Sequence, residues 1–260
     1  MPSEPGLLLE TSGRTATVTI SNPAKRNAMT TAMWRALPPL LERLAADPQV
    51  RSVVLTGAGG TFCAGADIGS LRAFAEGSAD DDPQAAAVEA EEALAAFPKP
   101  TLASIRGFCV GGGCQLAAAC DLRFAAPGAR FGVTPARLGI VYPASSTRRL
   151  ASLVGPSAAK YLLYSAELVD AERALRTGLV DEVLADDELD RRVEEFTGIL
   201  AGRSLLTQAA AKEFTAMAAD GADDPERVGE WSRTARAAGD AEEGVAAFLE
   251  RRTPRFTWSG

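Results

Sequence analysis

Residues 107–121, GFCVGGGCQLAAACD, put three consecutive glycines, Gly111, Gly112 and Gly113, before an apolar, alanine-rich run. Glycine permits positive φ and close backbone approach. The first turn of a helix presents unpaired N–H groups at the positive end of its dipole. A glycine turn feeding a helix can therefore aim backbone donors at an oxygen that gains negative charge in a reaction. The same pattern also suits a plain tight turn packed against another backbone, and both readings stand at this point. Gln115, just inside the expected helix, can hydrogen-bond but cannot exchange a proton near neutral pH.

The rest of the inventory narrows the chemistry. The 260-residue chain contains no histidine. That excludes Ser-His-Asp and Cys-His catalysis and removes the commonest metal ligand; no metal is expected. Four cysteines, Cys63, Cys109, Cys114 and Cys120, form no CxxC pair. They read as buried packing thiols in a reducing cytoplasm. The net charge of −7 argues against nucleic acid as a partner. No apolar run is long enough to span a membrane, and the N-terminus lacks the pattern of a signal peptide. A dinucleotide fingerprint starting at Gly57 and Gly59 fails at Phe62, which stands where the third glycine belongs.

These groups need a scaffold. Alternation predicts a strand over 14–20, and Thr30 or Thr31 is placed to cap a helix over 32–46. A buried strand is expected at 52–57, then the glycine-rich loop GAGGTFCAGAD and a helix over 68–75. The polar, acidic segment 77–84 reads as a mobile surface excursion. A helix over 85–97 and strands in PKPTLASIRG and DLRFAA follow. From 147 onward the pattern is helical, broken at 178–184. Strand, loop and helix thus recur before a helical end, which suggests an α/β core with a helical C-terminal region.

FCAGADI (62–68) taken with GGGCQLAAACD resembles the enoyl-CoA hydratase/isomerase, or crotonase, family. NPAKRNAM, VVLTGAGGTFCAGADI, FGVTPARLGIVYP, LVGPSAAKYLL, AERALRTGLVDEV and FLERRTPRF follow in family order, so the resemblance covers nearly the whole chain. It implies an α/β spiral of ββα units over residues 1–195, carrying acyl-CoA binding and the active site. It also implies a helical trimerisation region over 196–260, giving a homotrimer or a dimer of trimers. The ligand is an acyl-CoA thioester, which is substrate, and no further cofactor is implied.

By position in the family's motifs, the oxyanion donors fall on the backbone N–H groups of Ala66 and Gly112, with Gly111 beside them. The coenzyme is expected along Lys25, Arg26 and Ala28, then Ala64, Asp67 and Ile68. Arg251, Arg252 and Phe256 are placed to reach coenzyme in this or a neighbouring subunit. Asp67 is expected to cap or brace its loop.

Two departures matter. A typical hydratase of the family uses a pair of glutamates; Gln115 and Pro135 stand in their places here. Standard hydration by that pair is unavailable, whereas the backbone oxyanion donors survive. Tyr142, in LGIVYP, resembles a tyrosine of the methylmalonyl-CoA decarboxylase branch, although that branch has histidine where Ala66 stands. Glu89, Glu91 and Glu92 offer carboxylates for double-bond isomerisation. The expectation is an acyl-CoA enzyme working through a thioester enolate, with isomerisation or decarboxylation ahead of standard hydration. The alternatives are an acyl-CoA-binding protein without catalysis and an atypical enoyl-CoA hydratase.

Overall fold

The structure, a computed structural model, describes residues 4–77 and 82–260. Its elements in chain order are β1 (Gly6–Ser12), β2 (Thr15–Ser21), α1 (Thr31–Ala46), β3 (Ser52–Gly57), α2 (Ile68–Ala75), α3 (Pro83–Ala95), β4 (Thr101–Ile105), β5 (Phe108–Val110), α4 (Gly112–Ala119), β6 (Leu122–Ala125) and β7 (Arg130–Gly132). There follow α5 (Ala144–Ser165), β8 (Val169–Asp170), α6 (Ala171–Thr177), β9 (Glu182–Val183), α7 (Asp186–Ala201), α8 (Leu205–Asp220), α9 (Pro225–Ala238) and α10 (Asp240–Leu249).

The strands form two sheets. The larger has the order β1-β2-β3-β4-β6-β9, antiparallel at β1–β2 and parallel elsewhere. The smaller is β5-β7-β8. A single β-bridge between Cys63 and Cys109 extends its β5 edge. Two successive units each give one strand to the large sheet and the next to the small one before a helix closes the unit: β4–β5–α4, then β6–β7–α5. This is the expected spiral of ββα units.

Side-chain pattern explains the layers. β2 buries Ala16, Val18 and Ile20 and leaves its threonines half-buried, as a one-sided strand should. β4 is buried at every position because it is covered on both faces. Trp34, Leu37, Leu41 and Leu44 of α1 fill the main core. A smaller cluster of Val54, Leu102, Phe124 and Leu189 lies on the other face, under α7. The Thr30 hydroxyl does cap α1, accepting from Met33 N.

Several strands escape the sequence pattern. β1 has no clean alternation and keeps Leu8 and Leu9 exposed. β5, β7, β8 and β9 have three residues or fewer, too short to display a period. The helix expected over 85–97 begins at Pro83, with Asp82 accepting from Gln84 N as its cap. The excursion expected at 77–84 therefore ends in helix, and its residues 78–81 lie outside the described residues.

Candidate active site

The loop after β3 is strung between two neighbours. Phe62 N and Cys63 N donate to the carbonyls of Arg106 and Phe108 on one side. Ala64 N and Asp67 N donate to the carbonyls of Arg26 and Met29 on the other, and Met29 N donates to Gly65 O at 2.8 Å. Gly65 N reaches the Cys63 sulfur at 3.4 Å. Among the described residues, every N–H of residues 62–67 is thereby engaged except that of Ala66, which points away from the Met29 bridge because successive strand N–H groups alternate in direction.

The glycine run meets this loop. Gly111 has φ +56°, a conformation glycine tolerates, and its N–H donates to Gly132 O at 2.8 Å. That turn starts α4, so Gly112 N is an orphan first-turn donor. A Cβ at Gly112 would lie 3.6 Å from Ala66 N, so the two free N–H groups are neighbours. A Cβ at Gly113 would lie 2.2 Å from the Cys63 carbonyl oxygen; only glycine lets α4 approach the loop this closely.

Ala66 and Gly112 open on a cavity of about 140 Å³. Ala64, Ile68, Gly111, Gln115, Pro135 and Tyr142 also line it. Among the described residues, no Asp or Glu lines it. Lys25 and Asp67 sit at the foot of α2, bridged at 2.6 Å. Asp67 also caps that helix, accepting from Ser70 N at 3.1 Å. Burial would raise the Asp67 carboxyl, but the bonds from Lys25 and Ser70 outweigh it and hold it below its ordinary value. Arg26, in a left-handed conformation at φ 51°, lays its guanidinium over Phe108. Ala28 is buried, its carbonyl taken by Asn22 Nδ2. Phe256 packs against Gly244 of α10 and is not among the cavity residues. Arg252 is engaged by Glu243 and Glu250.

Polar side chains on the cavity wall include Gln84, Gln115, Thr134 and Tyr142. Tyr142 is half-buried, and its hydroxyl has no partner among the described residues. Burial, reinforced by Cys114 and Glu91, pushes its phenol well above its ordinary value, so it remains a proton donor. Gln115 is buried and donates from Nε2 to Glu91 Oε2 at 2.6 Å. Glu91 also takes Ser146 Oγ and Arg149 Nη1. Burial nonetheless raises its carboxyl above the ordinary value. Glu89 pairs with Arg35, and Glu92 with Arg149; neither lines the cavity.

All four cysteines are buried and free. Burial pushes the Cys63 thiol up to about 12, which leaves it without nucleophilic character at neutral pH.

Trp34 on the cavity wall carries no motif signal, and Thr134 lies in FGVTPARLGIVYP without having been singled out there. The inward placement of Glu91 had a signal: it shares a helix face with Ala87 and Leu94, both buried.

The family profile described as enoyl-CoA hydratase/isomerase matches residues 10–259. The chain is similar to crotonyl-CoA hydratase of Syntrophomonas wolfei, 34% identical over 96% of this chain and 97% of that protein. It is likewise similar to 2,3-dehydroadipyl-CoA hydratase of Escherichia coli K12, 34% identical over 96% and 98%. Among solved structures, an enoyl-CoA hydratase/isomerase family member superposes with TM-score 0.91 at 34% identity, covering 100% of this chain and 99% of that one. An enoyl-CoA hydratase of Mycobacterium smegmatis gives 0.84 at 32% identity, covering 97% and 99%.

Proposed function

The chain belongs to the enoyl-CoA hydratase/isomerase family, and from that premise we propose that it holds an acyl-CoA thioester with the developing oxyanion on Ala66 N–H and Gly112 N–H, and forms an enolate without two-carboxylate hydration. One observation carries this reading: two unpartnered backbone donors sit side by side over a cavity that no described carboxylate lines. Donors fixed before reaction stabilise developing charge without reorganising, each by about 3–4 kcal/mol. The coenzyme is assigned to the path along Lys25, Arg26 and Ala28, then Ala64, Asp67 and Ile68, of which Ala64 and Ile68 line the cavity.

Decarboxylation is the reaction these side chains can complete. The bond between the α-carbon and the carboxylate of a malonyl-type thioester breaks. Its electron pair moves into the enolate held by Ala66 and Gly112, and carbon dioxide leaves. Tyr142 donates its phenolic proton to the α-carbon, and water restores the phenol. Thr134 and Tyr142, both on the wall, supply hydroxyls for the departing carboxylate. Isomerisation is less well served: it needs a base at the α-carbon, Glu89 and Glu92 are paired away from the cavity, and Glu91 lies behind Gln115. A second reading, hydration by a water held at Gln115, draws support from the names of the relatives.

Mass spectrometry of the purified protein with saturated, 2-enoyl, 3-enoyl and methylmalonyl thioesters tests this. Loss of carbon dioxide that declines in Tyr142→Phe is the expected result. Gain of water by the 2-enoyl thioester overturns the reading in favour of hydration. Saturable binding with no turnover of any thioester points to a binding protein.

A homotrimer or dimer of trimers in a reducing cytoplasm completes the proposal. Exposed Val245, Phe248 and Leu249 on α10 support the assembly, and the four free thiols the compartment.

A further inference from the structure

We infer that Trp34 limits the size of the α-substituent this site accepts, so that the malonyl-type thioester it takes carries hydrogen or a methyl group there. The size limit rests on the reading that an acyl thioester lies on Ala66 and Gly112, and it narrows the substrate class within that reading.

The indole comes from α1 and meets the glycine turn edge-on. A Cβ built at Gly112 would lie 2.9 Å from Trp34 Cζ2 and 3.1 Å from Cη2. The same point lies 3.6 Å from Ala66 N. The outer edge of the six-membered ring therefore stands beside the two free donors, and it leaves no room for a methyl on Gly112. Trp34 also lines the cavity, so this edge is a wall that an acyl group meets next to the donors. The wall is stiff. Trp34 is fully buried in the main core, and its helix packs along α3. A large ring enclosed on that scale cannot step aside without disturbing its neighbours.

The breaking bond dictates which substituent faces this wall. The electron pair of the bond between α-carbon and carboxylate flows into the thioester carbonyl as carbon dioxide leaves. That flow requires the bond to stand perpendicular to the thioester plane. The carboxylate therefore projects to one face, and the hydroxyls assigned to it, on Thr134 and Tyr142, come from the segment between β7 and α5. The other two α-substituents lie near the plane, as they do in the flat enolate. One of them is on the side of the oxygen, three bonds from it, and so lies close to the donors and to the Trp34 edge. Hydrogen or methyl fits there, whereas a longer chain runs into the ring. The indole N–H takes no part: Trp34 Nε1 is fully enclosed and has no partner among the described residues. Trp34→Phe therefore breaks no hydrogen bond while it removes the edge formed by Cζ2 and Cη2. Relief of the unpaired donor offsets part of the lost packing, which keeps this variant folded.

Turnover and binding test this separately. Propionyl- and hexanoyl-CoA carry on their α-carbons the same methyl and butyl groups as methylmalonyl- and butylmalonyl-CoA. By mass spectrometry of carbon dioxide loss, wild type should show kcat/KM roughly tenfold or more higher for methylmalonyl-CoA than for butylmalonyl-CoA. By calorimetry it should bind propionyl-CoA roughly tenfold more tightly than hexanoyl-CoA. Trp34→Phe should bring both preferences to about one by gaining on the longer thioester, whereas general damage would weaken both thioesters alike. Trp34→Leu should act in the same direction, and the wild-type preference decides the size limit without any variant. A folded Trp34→Phe protein that keeps the wild-type preference overturns the role of Trp34. Wild type that takes hexanoyl-CoA as readily as propionyl-CoA overturns the size limit itself. If no malonyl thioester is turned over, yet the binding preference is present and depends on Trp34, the size limit stands and decarboxylation falls. If wild type binds no thioester, the acyl-CoA reading and the size limit fall together.

Discussion

An enolate oxygen is held best by donors that are already aimed at it, and at the scale of single residues Ala66 shows what that takes. Its neighbours in the loop spend their N–H groups on Arg26, Met29 and Cys63, which fixes the loop and leaves one donor over. Ala66→Pro removes that N–H without touching the two bonds of the Met29 bridge. Turnover of the active thioester should fall roughly 10²- to 10³-fold with the melting temperature little changed; near-normal kcat in a folded variant would remove Ala66 from the mechanism. Glu91 gives a prediction about pH. Burial raises its carboxyl above the ordinary value, although Ser146, Arg149 and Gln115 pull the other way. The native protein then holds that proton more tightly than the unfolded chain. The stability Glu91 contributes is full below the ordinary carboxylate pKa and is lost as pH rises through the higher native value. The melting temperature of wild type minus that of Glu91→Gln should therefore fall from acid to neutral pH, and a rise would mean that the Arg149 pair outweighs burial. Neither feature is fully written in the sequence. Gly112 stands out there because glycine marks a backbone that must turn, and Ala66 only through its place in the resembled family motif, whereas an unpaired N–H depends on how distant segments meet. Gln115 and Pro135 stand out only through the family resemblance, which implies carboxylates in their places, and both line the cavity. That Gln115 leans on Glu91 depends on α3 and α4 packing together, contacts distant in sequence.

At the scale of elements, the site is a contact between two of them: the loop after β3 and the start of α4. Gly113 sets their distance, because its missing side chain is the space taken by the Cys63 carbonyl. A methyl placed there must push α4 away. Gly113→Ala should destabilise the protein by about 1–3 kcal/mol through overpacking. It should also lower kcat, because the same displacement separates Gly112 N–H from Ala66 N–H. Chemical denaturation and initial rates check the two effects, and loss of stability with unchanged kcat would uncouple the donors from the packing. The helix α1 was readable because its cap and apolar period agree, and the strand β3 because a short apolar run ends at Gly57. The small sheet was not, since strands as short as β5 and β7 are defined by their partners rather than by their own letters.

For the whole molecule, the proposed chemistry and the proposed assembly fall on different parts of the chain. Every cavity-lining residue lies between Trp34 and Pro143. The helical end is fastened to the core elsewhere: Arg51 of the core donates to Trp258 O and Arg203 O, both at 3.1 Å, and Ser204 bonds buried Asp240 at 2.6 Å. Fixed in this way, α10 holds Val245, Phe248 and Leu249 at 62%, 83% and 74% exposure. An apolar face on a rigidly anchored helix is what an interface between copies requires, whereas a frayed tail would fold it away. Light scattering after size exclusion should give a mass of three or six times the 27.1 kDa chain. Phe248→Glu combined with Leu249→Glu should lower it, since charges buried in a like-against-like contact are costly. Because the cavity is built within one chain, the dissociated variant should keep far more turnover than Ala66→Pro. A chain that already runs as a monomer would leave the α10 face to another partner, and a dissociated variant as inactive as Ala66→Pro would show that a neighbouring subunit completes the site.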